Sequence, residues 1–403
     1  MFDVYRKSFL EGNNVIWWGG ETTYRIWDSD TMVLYFFIVV LAVLFGLYSD
    51  KRRINLVMSY RQQNMSYTVS FSSIMKYLKP MFLILLLILG FRHTSVGIDT
   101  IVYKGGIEEE LSLADRFSGS TSEPLYKIFQ YILHLVFDNG TIGLFIYSFL
   151  TLYLIYGGIK RYAGTIDLYT CILTYVCLYY FPAFNLLRIS LAASIVFYNF
   201  HLIIEGNYKR FAIILLGTTL LHYSTIVMFF PFLSYLVYRK NKVIGTIIFC
   251  AAAVIVIAST SILGSYISLI NRYSSYIDGN EAAGRLGIML FIDYLPCIIM
   301  CFYIWLNKVK GQWADLMVCF TSSAFIIRLL AYYLSAAGRL GFHFPILTMI
   351  LLPYWMNYLK VTRPSLYKPM LIVYTFWAFI RLHTYFIGYL STDGIMPYMF
   401  FWN

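Results

Sequence analysis

Long apolar runs separated by short basic turns make up most of the chain. A transmembrane helix needs about 20 mostly apolar residues, and the pattern predicts about twelve such spans. They cover residues 31–48, 76–91, 140–158, 168–184, 186–204, 208–222, 224–238, 243–266, 286–306, 313–335, 340–358 and 369–389. We therefore expect an all-α, polytopic helical membrane protein. Residues 1–30 form a polar N-terminal arm, and 31–403 form a single transmembrane domain.

Basic residues in alternate turns predict the orientation of the spans. Turns rich in lysine and arginine stay in the cytoplasm, and every second turn here is basic. The residues are Lys51, Arg52, Arg53, Arg61, Lys76, Lys79, Lys160, Arg161, Lys209, Arg210, Arg239, Lys240, Lys242, Lys308, Lys310, Lys360, Arg363 and Lys368. The remaining loops then face outward, and the two largest are 92–139 and 267–285.

Two segments test this scheme. Residues 211–238 carry no formal charge between two basic flanks, which is too long for one span. The chain must cross an even number of times there, and we predict a reversal near His222–Ser224. Residues 124–137 are amphipathic, and counting them as a span would invert the later turns. We expect them to form a helix lying on the outer membrane surface.

The amino-acid composition excludes several classes of protein. The chain has 403 residues, 60% apolar and only 13% charged, whereas soluble proteins carry about 25% charged residues. A soluble enzyme is therefore excluded. The net charge of +11 does not indicate nucleic acid, because the basic residues punctuate apolar runs instead of forming a stripe. The cysteines lie inside apolar runs without metal-ligand spacing, so we predict neither a disulfide framework nor a metal site.

Outside the cytoplasmic turns, arginine predominates at the predicted outer side. The positions are Arg92, Arg116, Arg188, Arg272, Arg285, Arg328, Arg339 and Arg381. A charge deep in a span costs about 2.5–3.5 kcal/mol even on insertion scales. Asp293 could pair with Arg328 or Arg381 and lock two helices, but it cannot neutralise the whole set. Guanidinium groups bind phosphate in a two-pronged manner, so the surplus indicates an anionic ligand such as a pyrophosphate.

Several ordered motifs carry a family resemblance. The stretch FRHTSVGIDTIVYKGG contains R-x4-G-x-D-x3-Y, and SEPLYKIF follows it. PAFNLLRISLAASIVFY, LLHYSTIVMFFPFL, GRLGFHFPILTMILLP and the closing IMPYMFFW come later. In this order the motifs resemble the EpsG/Wzy group of bacterial exopolysaccharide and O-antigen polymerases, from about Leu78 to the C-terminus. One departure is Ile189, where the family usually has Gln after the arginine of Asn-x-x-Arg.

The resemblance implies a function. Members join oligosaccharide repeat units carried on undecaprenyl pyrophosphate at the outer face of the bacterial plasma (inner) membrane. The growing glycan passes to the non-reducing-end sugar of the next unit, with inversion and without a cofactor or metal, as in the multi-span C-type glycosyltransferases. Expected partners are the lipid-linked oligosaccharide as donor and acceptor, membrane lipid, and a chain-length-regulating co-polymerase.

Candidate residues follow from this chemistry. Arginines stabilise charge that develops on a leaving phosphate, and one general base accepts the acceptor hydroxyl proton. The candidate catalytic residues are Asp99, Glu123 and His222. The candidate pyrophosphate-binding residues are Arg92, Arg188, Arg285, Arg339, Arg328 and Arg381. The candidate sugar-binding residues are Tyr103, Arg272, Tyr273 and Tyr276.

Structural roles remain open for the same residues. Arg92 and Asp99 could form a surface salt bridge, and Glu123 could cap the helix that starts at Pro124. Arg188 could anchor a span end, and His222 could be a hydrogen-bonded structural residue.

Two other functions share the arginine chemistry: a lipid-linked oligosaccharide transporter (flippase) and an O-antigen ligase-like transferase. A transporter places its charges near the midplane, often with repeat symmetry, which this sequence lacks.

Overall fold

The computed structural model describes residues 15–18, 25–62, 72–118, 123–258, 289–333, 335–389 and 393–402. Strands β1 (Val15–Trp18) and β2 (Arg25–Asp28) pair antiparallel, with Val15 opposite Asp28. This small hairpin lies in the segment predicted as a polar arm, and the apolar pattern gave no sign of it. All other elements with regular structure in the described ranges are helical.

The helices follow the predicted apolar runs. In chain order they are α1 (Ser29–Gln62), α2 (Ser72–Gly90), α3 (Thr100–Glu108), α4 (Leu113–Phe117), α5 (Pro124–Phe137), α6 (Gly140–Tyr162), α7 (Leu168–Thr174), α8 (Leu187–Tyr198), α9 (His201–Ile204), α10 (Tyr208–Leu221), α11 (Phe229–Lys240), α12 (Lys242–Ala258), α13 (Met289–Asp293), α14 (Leu295–Leu306), α15 (Gln312–Tyr333), α16 (Leu352–Thr362) and α17 (Pro364–Tyr389). π-Helical turns occupy Tyr175–Tyr180 and Leu347–Leu351, and 3-10 turns occupy Pro182–Phe184, Tyr223–Met228 and Ser335–His343.

Some of these helices have the length and composition of membrane spans. Within the described residues the candidates are Ser29–Ile54, Gly140–Tyr162, Leu187–Ile204 and Gln312–Leu330. Shorter apolar helices cover Leu168–Tyr180, Lys242–Val256 and Leu295–Leu306. The chain is thus a helical protein of membrane type, and the larger number of about twelve spans stays a prediction.

Contacts divide the chain into two compact units. The first unit comprises Met1–Tyr156, Ile172–Leu187 and Ala378–Asn403, and the second comprises Gly157–Cys171 and Arg188–Trp377.

An aromatic core holds the first unit together. The ring of Tyr35 in α1 lies 4.9 Å from that of Phe181, 6.0 Å from Phe184 and 6.3 Å from Tyr398, between ring centroids. Tyr180 donates its hydroxyl hydrogen to the Leu85 carbonyl at 2.9 Å. The irregular turns at 175–184 therefore pack between α1, α2 and the C-terminal segment.

The second unit contains the predicted reversal. α10 and α11 run antiparallel around His222, because Phe211 near the start of α10 packs on Phe232 of α11, with centroids 5.0 Å apart. The guanidinium of Arg239 lies 5.9 Å from the centroid of the Tyr208 ring, so the two basic ends meet. The position of the reversal is confirmed.

A buried carboxylate connects three further helices of this unit. Asp167 is fully buried and accepts hydrogen bonds from Lys360 Nζ at 3.2 Å and from the Tyr367 hydroxyl at 2.9 Å. It also caps α7 by accepting from the Thr170 amide at 3.0 Å. Because a buried charge is tolerated only when it is paired and hydrogen-bonded, this cluster fixes α7, α16 and α17 to one another.

Candidate functional site

The motif R-x4-G-x-D forms a tight loop between α2 and α3, and the C-terminal segment lies against it. His93 donates its amide hydrogen to the Met399 carbonyl at 2.7 Å, and Phe401 donates to the Phe91 carbonyl at 2.9 Å. Further along, Gly97 donates to Gly394 at 2.7 Å and Ile98 to Asp393 at 3.0 Å. Two motifs some 300 residues apart in the printed sequence thus form one backbone-paired structure.

Gly97 is required at the centre of this loop. Its φ of +91° lies in a region that favours glycine. A Cβ at this position would lie 2.4 Å from the carbonyl oxygen of Phe184. The third motif, PAFN, therefore packs directly against the loop. The Thr100 hydroxyl reinforces this contact by donating to the Phe184 carbonyl at 3.3 Å.

Asn185 links the backbone of Asp99 to the side chain of a second aspartate, Asp393. Its Oδ1 accepts the backbone amide of Asp99 at 2.8 Å, and its Nδ2 donates to Asp393 Oδ1 at 3.3 Å. The Tyr385 hydroxyl donates to the other oxygen, Asp393 Oδ2, at 2.9 Å. Asp393 is thereby fixed in orientation. We refer to Asp99, Asn185, Tyr385 and Asp393 as the carboxylate cluster.

Asp99 is the more accessible of the predicted carboxylates. It stands at the N-terminus of α3, its carboxylate makes no capping hydrogen bond, and it is half-buried. Glu123, the other predicted base, is only 1% exposed at the N-terminus of α5 and likewise makes no capping hydrogen bond. Glu123 thus occupies the N-cap position that the capping interpretation predicted, but without a side-chain hydrogen bond to the first turn. A proton acceptor must reach its substrate, which favours Asp99.

Arg92 is buried inside the loop that precedes Asp99. It is 1% exposed, its Nε donates to the Val96 carbonyl at 3.3 Å, and its Nη1 donates to the Leu89 carbonyl. Within the described ranges its buried Nη2 has no hydrogen-bond partner. Burial lowers the pKa of Arg92 to about 10, so the guanidinium remains charged at neutral pH. A salt bridge to Asp99 is absent from the ion pairs of the described residues.

The second unit holds the predicted histidine and, among its described residues, the candidate arginines Arg188, Arg328 and Arg339. His222 is half-buried at the α10–α11 reversal, and its ring centroid lies 6.2 Å from that of His343. His343 is 1% exposed and shares a hydrogen bond of 2.6 Å with Ser224. Arg339 is exposed on the 3-10 turn that ends at His343, and Arg188 is half-buried at the start of α8.

Arg328 is paired with Asp293, the partner that the sequence suggested. Its guanidinium forms an ion pair with Asp293, whose side chain is 3% exposed. This pairing links α13 to α15. The sequence had allowed Asp293 to pair with either Arg328 or Arg381, and the structure shows the pair with Arg328. Arg381, the other possibility, is half-buried in α17.

The remaining candidate residues are either buried or outside the residues that the structure describes. Tyr103 is 3% exposed, and its ring packs 6.2 Å from that of Tyr126 and 6.5 Å from that of Tyr147. Arg272, Tyr273, Tyr276 and Arg285 lie outside the described residues. No group of three metal-ligating side chains occurs in the part of the chain that the structure describes.

Asp393 is the functional candidate that sequence reasoning missed. It belongs to the tripeptide TDG just before IMPYMFFW, and nothing in the apolar pattern relates it to Asp99. A usable signal was present, since it is the last acidic residue in the chain and adjoins one of the quoted motifs.

Comparison with known proteins agrees with the motif pattern. No curated protein and no solved structure matches the chain. The family model described as "EpsG family" matches residues 75–400. This range includes Arg92, the whole carboxylate cluster, His222 and His343. The chain therefore belongs to the EpsG family.

Proposed function

We propose that this protein is a membrane polysaccharide polymerase that transfers a growing glycan from undecaprenyl pyrophosphate to the next lipid-linked repeat unit. Membership of the EpsG family supports a polymerase of exopolysaccharide or O-antigen type. The finer chemistry rests on the residues. The observation that carries it is the carboxylate cluster, in which three motifs distant in sequence converge on Asp99.

The reaction needs one proton acceptor. The bond between the anomeric carbon and the pyrophosphate oxygen breaks, and its electron pair leaves with the pyrophosphate. The acceptor oxygen attacks the opposite face, and its proton passes to a general base. Asp99 suits this role, because it is half-buried and its backbone is fixed by Asn185. Asp393 has both oxygens engaged, by Asn185 and Tyr385, and we assign it to positioning.

Arg92 is assigned to holding the loop. Two of its donors bind carbonyls of the same segment, Leu89 and Val96, which shapes the turn that carries Asp99. Pyrophosphate binding is then left to Arg188 and Arg339, which are more accessible than Arg92. Preorganised guanidinium groups stabilise charge on the leaving phosphate, and loss of one such donor typically costs about 10²–10³ in rate.

The outer-face location remains part of the proposal. The basic turns support it, because they predict that the loop of residues 92–139 lies outside. The reaction then requires a lipid-linked substrate that has already crossed the plasma membrane. From its family, we also expect the protein to work with a co-polymerase that regulates chain length.

Complementation of a deletion strain tests the proposal. The strain is supplied with wild type, Asp99→Asn, or the matched control Glu110→Gln, which changes an exposed acid of the same loop. We expect the Asp99→Asn variant to leave single repeat units on the cell surface without long polymer, because a general base contributes about 10²–10⁴ to rate. The control should give polymer of normal length. Protein amounts are compared in isolated membranes.

The outcomes are separable. Normal polymer in the deletion strain itself contradicts the polymerase function. Normal polymer from Asp99→Asn, at a normal protein level, removes Asp99 as the base. Arg188→Ala and Arg339→Ala should also abolish long polymer. Arg188→Lys should restore it only partly, because lysine lacks the two-pronged donor geometry.

A further inference from the structure

A cavity of about 690 Å³ lies among the outer-loop helices of the first unit. Its walls are the C-terminal half of α3, helix α4 with the residues around it, and the first turns of α5. The volume falls within the range of about 300–1,000 Å³ that is typical of ligand pockets. Tyr103, the predicted sugar-binding residue that falls within the described ranges, does not line this cavity, and the sequence gave no reason to expect it.

The lining mixes apolar and polar side chains, and its three acidic residues outnumber its two basic ones. Glu108, Glu109 and Asp115 contribute carboxylates, and Gln130 contributes an amide whose Nε2 donates to the Tyr126 hydroxyl at 2.7 Å. Carboxylates accept hydrogen bonds from hydroxyl groups, and amides both donate and accept. This inventory suits a ligand rich in hydroxyls.

The basic residues of the lining do not make it a phosphate site. The guanidinium of Arg116 donates to the carbonyls of Leu111, Gly106 and Glu109, and so it holds the wall of the cavity together. The ammonium of Lys127 lies 4.9 Å from the centroid of the Phe117 ring. Glu108 also pairs with Lys104 at 3.7 Å, so the lining is close to charge balance, which favours a neutral saccharide over a pyrophosphate.

Helix α5 relates the cavity to the membrane. Tyr126, Lys127 and Gln130 line the cavity, whereas Leu135 and Val136 are each 64% exposed. At 100° per residue these two sets lie on opposite faces of the helix. An exposed apolar face on an amphipathic helix is typical of one that lies in the membrane interface. The cavity would then open close to the lipid surface.

Helix α3 relates the cavity to Asp99. Asp99 stands at the N-terminus of α3, and Gly106 of the same helix lines the cavity. Seven residues of helix span about 10 Å. A glycan seated in the cavity can therefore extend along α3 toward the carboxylate cluster.

We propose that this cavity binds the oligosaccharide part of the lipid-linked substrate, next to the carboxylate cluster. The proposal rests on the proposed function for the source of the saccharide. It adds a binding site formed by α3, α4 and α5, which recognises sugar hydroxyls and leaves the pyrophosphate to other residues.

Gly105 offers a direct test. It lines the cavity, and a Cβ built on it meets nothing within 4 Å. A leucine at this position can therefore begin its side chain in open space, and we expect Gly105→Leu to narrow the cavity. Gly217→Leu in α10 is the matched control, because its Cβ likewise meets nothing within 4 Å and it lies in the other unit. Both substitutions favour the helix, so neither should prevent folding.

The experiment measures binding and polymer length separately. The full-length protein is placed in lipid nanodiscs and titrated with oligosaccharide fragments, prepared by partial acid hydrolysis of the polysaccharide that the same strain makes. We expect Gly105→Leu to weaken fragment binding by roughly tenfold or more and to shorten the polymer in the complemented deletion strain. Gly105→Ala should have a smaller effect, and Gly217→Leu should match wild type.

Each result decides the question. Fragment binding that is weakened by Gly105→Leu but not by Gly217→Leu supports the cavity, even if the deletion strain makes normal polymer and the polymerase function fails. Wild-type binding and polymer length in Gly105→Leu overturn the cavity and leave the polymerase function standing. Absence of fragment binding by the wild type overturns the cavity as well.

Discussion

The pairing of the loop with the C-terminal segment depends on Gly97, and Gly97→Ala is the sharpest test of it. Alanine at a φ of +91° is strained, at a typical cost of about 1–3 kcal/mol. Its Cβ would also lie 2.4 Å from the backbone oxygen of Phe184 and 2.7 Å from Thr100 Oγ1. A backbone oxygen cannot rotate away as a side chain can, so the loop itself must move.

Movement of the loop breaks the pairing with the C-terminal segment. The hydrogen bonds from Gly97 to Gly394 and from Ile98 to Asp393 are each worth about 0.5–1.5 kcal/mol. Together with the backbone strain, we expect Gly97→Ala to lower the free energy of unfolding by roughly 2–6 kcal/mol. Asp99 would also lose its position, so long polymer should disappear.

The assay is unfolding by SDS in mixed micelles, followed by tryptophan fluorescence. Gly105→Ala is the control, because it adds a methyl group in open space and should stabilise α3 by up to about 1 kcal/mol. Gly394→Ala should fall between the two. Its φ is +65°, but the closest atom to its Cβ belongs to the flexible side chain of Ile98, at 2.8 Å, and the nearest backbone atom, the Ile98 nitrogen, is 3.3 Å away. If Gly97→Ala unfolds within about 0.5 kcal/mol of wild type, the loop is not held as described.

Three further stability changes are expected in the same assay. Arg328→Ala should cost roughly 3 kcal/mol, because it removes the ion-pair partner of a carboxylate that is 3% exposed; a loss below about 1 kcal/mol would show that the pair is not buried. Asn185→Ala should cost about 1–3 kcal/mol, since it removes the link between two segments of the carboxylate cluster, and an unchanged midpoint would refute that link. Lys242→Ala should cost less than about 1 kcal/mol, because the Lys242 side chain is 53% exposed in its ion pair with Asp315, and a larger loss would contradict a surface role.

Local signals in the sequence were enough to locate most helices. The run predicted at 140–158 corresponds to α6, and the run at 313–335 corresponds to α15. The reversal at His222 followed from two basic flanks around a charge-free stretch that was too long for one span. Pro124 correctly marked the first turn of α5. Each of these inferences uses hydropathy, charge or proline chemistry within a short window.

Such local signals could not predict contacts between segments that are distant in the sequence. The pairing of residues 91–98 with 393–401 is carried by backbone hydrogen bonds, which impose no side-chain period on either segment. Asp393 therefore could not be related to Asp99 from the sequence. The π-helical turn at Tyr175–Tyr180 has the same hydropathy as an α-helix and was equally invisible.

The sequence also did not predict which individual side chains are buried. Arg92 was expected to bind phosphate, and its motif position gave no hint that carbonyls of its own segment take up its donors. Tyr103 was expected to face sugar, and it packs among other tyrosines. In a chain with 37 tyrosines, residue type alone does not separate an exposed ring from a core ring.

The central claim is that this chain elongates a lipid-linked glycan, and reconstitution tests it most directly. Purified protein in proteoliposomes receives radiolabelled lipid-linked repeat units extracted from the deletion strain, with no added energy source. Our account predicts a ladder of longer lipid-linked glycans with wild type and with Glu110→Gln, and none with Asp99→Asn. Labelled units that cross the bilayer without growing in length would contradict the account and identify a transporter instead.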